Sequence, residues 1–297
     1  MADAYVAQKI AAVLPPPAFS DIAKSSNDLI NKDFYHAAAA QLEVKLKAPN
    51  GVNFTAKGTS AHDGPVSSSL EGKKSLSNGI SITQSWNTAN LLSTKVELND
   101  TFASGLKTEI LNNFKPDAGN QGQKVNFFFK QNNFHGRVFG DLKASGAVSA
   151  IADAVLSHEG FLVGGEVGYD VQKAAITKYS AAVGYTTPIY NAAITATNSL
   201  SVFSAAYYQK VNTAVEAGAR ATWDSKSQGA VGLELAAKYK IDPASFAKAK
   251  INNLGIASLA YNTKVNSGLT FGVGGSFDTQ KLNESGHKLG TSFTFEG

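Results

Sequence analysis

From about Gln41 onward, the chain alternates apolar and polar side chains with a period of two. Leu42 and Val44 alternate with Glu43 and Lys45, and the same alternation recurs in the segments that follow. Successive side chains of a β-strand point to opposite faces of its sheet, so this period indicates strands with one apolar and one polar face. About 19 such runs are separated by short polar or glycine-containing breaks, as strands joined by hairpin turns are. The pattern predicts an all-β protein.

The first 36 residues have a helical period instead. Pro15–Pro17 divide a short apolar pattern in residues 1–14 from a second pattern, for which Ser20 is the expected helix cap. The expected organisation is a helical N-terminal segment at residues 1–36 and a β-domain at residues 37–297. Residues 1–14 are an extension whose role stays open. The apolar stripe of the second pattern comprises Phe19, Ile22, Leu29 and Ile30.

Two architectures fit long alternating strands: a soluble β-sandwich, such as a lipid-binding protein, and a transmembrane β-barrel. Charged residues make up only 17% of the chain, and no run of eighteen apolar residues predicts a membrane-spanning helix. Charges gather on the polar face of the strands, and aromatic residues such as Tyr169, Tyr185 and Tyr239 recur near strand ends. A barrel with interfacial aromatic girdles has these features, and we therefore favour a membrane barrel.

Composition and residue spacing give little support to a catalytic, metal-binding or nucleic-acid-binding function. The chain has no cysteine, its five histidines lack metal-ligand spacing, and its formal charge of +4 is too small to indicate a nucleic-acid partner. The glycine-rich run Gly272–Ser276 lies in a strand pattern without the following helix that phosphate binding requires, so its expected role is to allow curvature of the strand or close packing against an inner helix. We expect no catalytic residue, no metal, no cofactor and no enzyme activity. Residues 1–14 contain no arginine and predict neither a secretory signal nor a transit peptide.

Four segments resemble the mitochondrial porins, the voltage-dependent anion channels, with a fungal character: residues 15–36, the segment around Trp86, residues 90–107 and the segment from Tyr239 to Tyr261. The segment Gly105-Leu106-Lys107 matches a motif of that family, and the resemblance covers Pro16–Gly297. It implies a 19-stranded barrel in the mitochondrial outer membrane, with the N-terminal segment inside the pore. It also implies voltage-gated, weakly anion-selective passage of ATP, ADP, phosphate and small metabolites. The most specific match lies between Tyr239 and Tyr261, where the signature positions are Tyr239, Asp242, Pro243, Ser245, Lys250, Asn252 and Asn253.

Basic residues on the polar face are the candidates for contact with permeating anions. In a wide pore, cationic walls attract small anions weakly. The alternative is that these charges only solvate the lumen and pair with one another, which is the expected role of any single lysine, whereas the summed field is expected to be selective. The resemblance associates Lys24 and Lys107 with nucleotide passage, and it makes Phe19, Asp21, Ile22 and Asp28 part of a gating helix. The candidate pore residues are Lys24, Lys32, Lys107, Lys124, Arg137 and Arg220.

The last strand pattern resembles the signal that directs mitochondrial barrels to their insertion machinery. Its positions are filled by Lys288, Gly290, Phe293 and Phe295. The expected partners are therefore membrane lipid, permeating nucleotides and small anions, and the mitochondrial insertion and import machinery, while a homo-oligomer stays open. Gln84 stands where the family often has a lipid-facing glutamate, so docking of hexokinase-like partners is not carried over. The alternative function is a protein-translocating or non-conducting barrel.

Overall fold

A computed structural model describes residues 15–227, 229–284 and 286–297 of the chain. It confirms the all-β prediction, including the number of strands: 19 strands form one sheet that closes on itself. Neighbouring strands are also neighbours along the chain, each pair antiparallel, except where β1 meets β19. The strands are β1 (Ala40–Lys47), β2 (Val52–Ser60), β3 (Val66–Ser75), β4 (Ile80–Asn87), β5 (Leu92–Asn99), β6 (Leu106–Lys115), β7 (Gly119–Gln131), β8 (Phe134–Lys143), β9 (Val148–His158), β10 (Phe161–Asp170), β11 (Ala175–Thr186), β12 (Tyr190–Thr197), β13 (Val202–Lys210), β14 (Val215–Asp224), β15 (Gly232–Lys240), β16 (Ser245–Asn252), β17 (Ile256–Asn266), β18 (Leu269–Asp278) and β19 (Lys288–Glu296).

The closing pair β1–β19 is parallel because an odd number of up-and-down strands leaves the first and the last running in the same direction. Leu42 lies beside Phe293 and Val44 beside Phe295, so the apolar face continues across this seam. The Lys45 ammonium lies 3.1 Å from a carboxylate oxygen of Glu296 on the polar face. Both faces therefore run unbroken around the barrel.

The outward face is predominantly apolar. Within the strands that the structure describes, Lys74 near the end of β3 is the one Asp, Glu, Lys or Arg on this face. Aromatic rings cluster on it: the ring centroids of Phe161 and Tyr185 are 4.7 Å apart, and those of Phe203 and Trp223 are 5.6 Å apart. Such pairs stabilise neighbouring strands beyond the area that they bury. This face is suited to lipid and the opposite face to water. No described helix has the length and apolar character needed to span a membrane.

The described N-terminal residues lie inside the barrel, against the polar face of the sheet. They form a 3-10 helix at Phe19–Asp21, helix α1 at Lys24–Asn31 and a second 3-10 helix at Tyr35–Ala37. The prediction that Ser20 caps a helix is wrong, because Ser20 lies within the first 3-10 helix and neither start has a side-chain cap. The helix pattern predicted for residues 1–14 lies outside the described residues. The apolar stripe is confirmed, since all four of its members are buried: Phe19, Ile22, Leu29 and Ile30.

The core of the molecule is the layer between this inner segment, residues 15–39, and the wall. Phe19 and Ile22 pack against Val155, Leu162 and Ala182. Further along, Leu29 and Ile30 pack against Ala236 of β15, and Phe34 and Tyr35 against Ala260 of β17. Large apolar residues come from the segment and mostly small ones from the wall, so the segment lies close to the strands.

Candidate functional site

The predicted pore residues on strands all lie on the lumen face. Residues paired across neighbouring strands share a face, and this register joins Lys107 to Phe128, Phe128 to Arg137, and Lys124 to Asp141. Arg220 lies on the same face, opposite Glu234. Lys24 and Lys32 lie on α1 inside the barrel, with side chains 54% and 58% exposed. One lumen therefore holds all six predicted pore residues.

Each of the four wall cations has a carboxylate partner. Lys107 Nζ lies 2.7 Å from both Glu97 and Glu109, and Lys124 Nζ lies 3.4 Å from Asp141. Arg220 pairs with Glu234 through Nε and Nη2. Arg137 binds Asp153 through two nitrogens, and its Nη2 lies 2.8 Å from Oδ2. Each of these four residues thus pairs locally with a carboxylate, and selectivity depends on the summed charge of the lumen.

Asp153 is a functional partner that sequence reasoning missed. Its carboxylate is fully buried beneath Arg137. Burial of a carboxylate is costly unless an opposite charge and hydrogen bonds satisfy it, and Arg137 supplies both. The alternation of β9 places Asp153 on the polar face, but its partner becomes apparent only from the register of β8 against β9.

Side chains of the wall hold the front of the inner segment by donating hydrogen bonds to it. His135 Nδ1–H donates to the Pro16 carbonyl at 3.1 Å, and Asn191 Nδ2 donates to the Ile22 carbonyl at 3.2 Å. Arg137 Nη2 donates to Ser20 Oγ at 3.3 Å. These side chains come from β8 and β12, so residues 16–22 bridge several strands.

The rear of α1 is held by three basic side chains of the wall. Lys248 Nζ donates to the Asp28 and Lys32 carbonyls at 3.2 and 2.7 Å. Lys250 Nζ donates to the Ile30 carbonyl at 3.1 Å. The last carbonyls of a helix lack partners within it and carry partial negative charge, so ammonium groups stabilise this end. Arg220 additionally donates to the side chains of Asn27 and Asn31.

Tyr35 fills a socket whose floor is glycine. A Cβ at Gly272 would overlap the Tyr35 ring, and one at Gly290 would meet the carbonyl oxygens of Tyr35 and Ala38. Asn262 Nδ2 donates to the Tyr35 hydroxyl at 2.5 Å, and burial raises the pKa of Tyr35 to about 12. The expectation that the glycines of Gly272–Ser276 allow close packing against an inner helix is confirmed at Gly272, which faces the second 3-10 helix.

His36 lies next to this socket, at the end of the segment. His62 Nε2–H donates to the His36 carbonyl at 2.9 Å. Burial and the nearby ammonium groups of Lys250 and Lys288 lower the pKa of His36 below its usual value of 6.5. The neutral imidazole is therefore the form that fits the docked segment.

The opposite side of α1 faces the open lumen. Lys32 Nζ lies 2.9 Å from Asp28, and Lys24 Nζ lies 3.6 Å from Asp21 and 4.0 Å from Asp28. The hydrogen bond and the charge of Asp28 raise the pKa of Lys32. The segment thus has one side fixed to the wall and one charged side exposed to water. Of the predicted gating residues, Phe19 and Ile22 lie on the fixed side, and Asp21 and Asp28 contribute to the charged one.

The predicted insertion residues all lie in β19. Phe293 and Phe295 are on the outward face beside Leu42 and Val44, whereas Lys288 and Gly290 are on the lumen face. Gln84 is exposed on the outward face of β4, as the alternation predicts. Among the described residues, no group of three or more His, Asp or Glu side chains is placed to hold a metal ion.

Comparison with known proteins identifies the family. Residues 15–290 match the model of the eukaryotic porins. The chain is 60% identical to the mitochondrial outer membrane protein porin of Neurospora crassa over 281 residues. This alignment covers 94% of this chain and 99% of that one. It is 47% identical to the mitochondrial outer membrane protein porin of Candida albicans, in an alignment that covers 95% of this chain and 99% of that one. It is 36% identical to the non-selective voltage-gated ion channel 1 of Saccharomyces cerevisiae, covering 95% and 100%. The closed barrel, its charged lumen and these relatives agree: the chain belongs to the eukaryotic porin family and is a voltage-gated channel of the mitochondrial outer membrane.

Proposed function

We propose that this channel is weakly selective for anions and passes ATP, ADP, phosphate and small metabolites by diffusion. The observation that carries the proposal is the distribution of charge: basic side chains are concentrated on the lumen face, and the outward face of the strands has almost none. Each of the four predicted wall cations is paired, so these side chains contribute to a diffuse field rather than form a tight binding site. A field of this kind enriches anions without holding them.

A cleft of about 450 Å³ beside the inner segment is suited to the phosphates of a passing nucleotide. Lys107, Lys130 and Arg137 supply positive charge there against the two carboxylates of Asp21 and Asp100, and the ring of Phe128 supplies an apolar surface. Basic groups attract phosphate oxygens, and an aromatic ring can stack on any nucleobase. The candidates Lys24, Lys32, Lys124 and Arg220 would add charge along the path rather than form a second cleft.

We assign the inner segment to gating. The chain then divides as predicted into an N-terminal segment at residues 1–36, in which the role of residues 1–14 stays open, and a barrel at residues 37–297. A charged element that is fixed on one side and free on the other can respond to voltage if it leaves the wall or if the wall deforms beneath it. The expected partners are lipid on the outward face and the insertion and import machinery at β19, and a homo-oligomer stays open. A diffusion pore needs no catalytic residue, and we expect no enzyme activity.

The test of selectivity is Lys107→Glu, measured as the reversal potential of single channels in a planar bilayer under a salt gradient. The substitution places a third carboxylate beside Glu97 and Glu109 and removes their shared partner. The anion-to-cation permeability ratio should therefore fall toward one or below it. Lys281→Glu, which changes the charge equally in the loop between β18 and β19, is the control and should leave the ratio nearly unchanged. An unchanged reversal potential in Lys107→Glu would contradict the proposal.

A further inference from the structure

A buried carboxylate joins four neighbouring strands on the open side of the lumen. Glu97 of β5 is only 4% exposed. Its Oε2 accepts hydrogen bonds from Lys73 of β3 at 2.7 Å and from Ser81 of β4 at 2.9 Å. Its Oε1 accepts one from Lys107 of β6 at 2.7 Å and lies 3.4 Å from Lys95 Nζ. One carboxylate therefore contacts three ammonium groups and a hydroxyl.

Two of these lysines depend on Glu97 alone. Among the described residues, Lys73 and Lys95 have no second carboxylate within ion-pair distance, whereas Lys107 is also bound by Glu109. A lysine side chain has four flexible bonds and a strongly hydrated ammonium group, so without a partner on the wall it extends into water. Glu97 thus holds Lys73 and Lys95 back against the strands.

We propose that Glu97 determines the selectivity of the pore by holding these lysines against the wall and cancelling part of their field. The proposal rests on the anion preference proposed above and names the residue that limits it. Interactions between charges weaken steeply with distance in salt solution, with a screening length of about 8 Å at physiological ionic strength. A lysine that extends into the lumen therefore acts on a passing ion much more strongly than one held against the wall.

Glu109 offers a matched comparison because it lies directly opposite Glu97 in the register of β5 and β6. The two carboxylates share a face and a depth in the barrel, and each contributes one negative charge. Glu109 binds Lys107 at 2.7 Å and accepts a bond from Asn126 at 3.4 Å. Its removal leaves Lys107 held by Glu97 and releases no lysine.

The experiment compares E97Q and E109Q by reversal potential in the same salt gradient. If only the number of charges matters, both variants shift equally toward anions. If Glu97 acts as proposed, E97Q releases two further lysines, and its shift should be about twice that of E109Q. A shift in E97Q equal to or smaller than that in E109Q would overturn the proposal. If the wild-type channel has no anion preference, the function proposed above fails, but the order of the two variants still tests Glu97.

A second measurement uses the wild-type protein and does not require that E97Q folds. Lysines of the refolded channel are labelled with a small amine-reactive reagent, and the rate at each site is read by mass spectrometry. Lys73 should react several-fold more slowly than Lys57, which faces the same lumen from β2 with a more exposed side chain, 60% against 40%. In E97Q, Lys73 should approach the rate of Lys57. Equal rates in the wild type would show that Glu97 does not hold Lys73 and would overturn the proposal.

Discussion

Two arcs of the inner wall differ in the side chains that they present to the lumen. Beneath the inner segment, from β10 to β18, many lumen-facing positions are glycine or alanine, such as Gly184, Gly218 and Ala236. From β2 to β7, the one described hydrogen bond between the segment and a strand joins the Ala39 N–H to the Ser60 carbonyl at the end of β2. Many lumen positions of these strands carry long charged chains. Lys57, Glu97 and Lys124 are examples.

The difference follows from what covers each arc. A helix can lie on a sheet only where the side chains beneath it are short, and the buried wall residues there contribute apolar contact. Water covers the open arc, so long chains with charged ends are stable there when paired with one another. Two lysines of the covered arc, Lys248, which is buried, and Lys250, which is half-buried, bind carbonyls of the segment. Lysines pair with carboxylates in both arcs, and only in the covered arc do described wall lysines also hold α1.

Docking of the segment can be measured through a single introduced thiol. The chain has no cysteine, and Ser26 is 0% exposed on α1 while its neighbour Ser25 is exposed. The labelling rate of Ser26→Cys, divided by that of Ser25→Cys, reports the fraction of molecules in which α1 has left the wall.

The largest effect is expected from Gly272→Val. The valine side chain would occupy the space of the Tyr35 ring, and overpacking of this kind costs about 1–3 kcal/mol. The labelling ratio should rise about tenfold or more. Gly58→Val serves as the control, because nothing lies within 4 Å of a Cβ at that position in β2. A ratio that stays at the wild-type value in folded Gly272→Val would show that the socket is not needed for docking.

A smaller effect is expected from Lys248→Met. The Lys32 carbonyl loses its donor, while the Asp28 carbonyl keeps the Lys32 N–H; an unsatisfied buried acceptor costs about 1–3 kcal/mol, less where lumen water replaces the donor. We expect a rise of about fivefold in the labelling ratio. Lys57→Met removes the same charge from the open arc and should leave the ratio unchanged, since its exposed ion pair with Glu43 contributes about 0–1 kcal/mol. Equal effects of the two substitutions would contradict the distinction between the arcs.

The smallest effect is expected from pH. The docked state lowers the pKa of His36 through burial and the charges of Lys250 and Lys288, so the proton favours the undocked segment. Neutral His36 stabilises the docked segment fully at a pH above the usual histidine pKa of 6.5. This stabilisation is lost as the pH falls below 6.5 toward the lowered pKa of the docked state. The labelling ratio should therefore rise between pH 7.5 and pH 5.5, by less than in either variant above. His36→Gln should flatten this profile, and a profile that keeps its slope in His36→Gln would assign the effect to another group.

Most of the fold could be predicted because alternation is a local property. The faces of Leu42, Lys124 and Phe127 follow from their neighbours in the chain, and the structure places each as expected. The same was true of the segment's apolar stripe. The start of the helix was predicted wrongly, because Ser20 has the chemistry of a cap but its hydroxyl is an acceptor for Arg137, more than a hundred residues away.

For the residues of the site, the sequence predicts only the face of the sheet on which each side chain lies. That Arg137 and Lys248 face the lumen follows from alternation, but their partners depend on register and on where the segment lies. Asp153 is opposite Arg137 only because β8 and β9 pair in one register, and Lys248 meets the Asp28 carbonyl from 220 residues away. No pattern in neighbouring residues encodes such contacts, so the pairing of each cation had to come from the structure.

The parallel seam between β1 and β19 has a consequence for assembly. Every other strand pair joins neighbours in the chain and can form as a hairpin, whereas Lys45 and Glu296 are separated by 251 residues. Loop-closure entropy makes such a distant contact the slowest to form, so the seam should close after the hairpins have formed. Until then, β1 and β19 are two unpaired edges in lipid, where unsatisfied backbone groups are costly. The growing sheet therefore needs something to cover both edges, and closure of the seam, rather than formation of the hairpins, is the step expected to limit the rate of assembly.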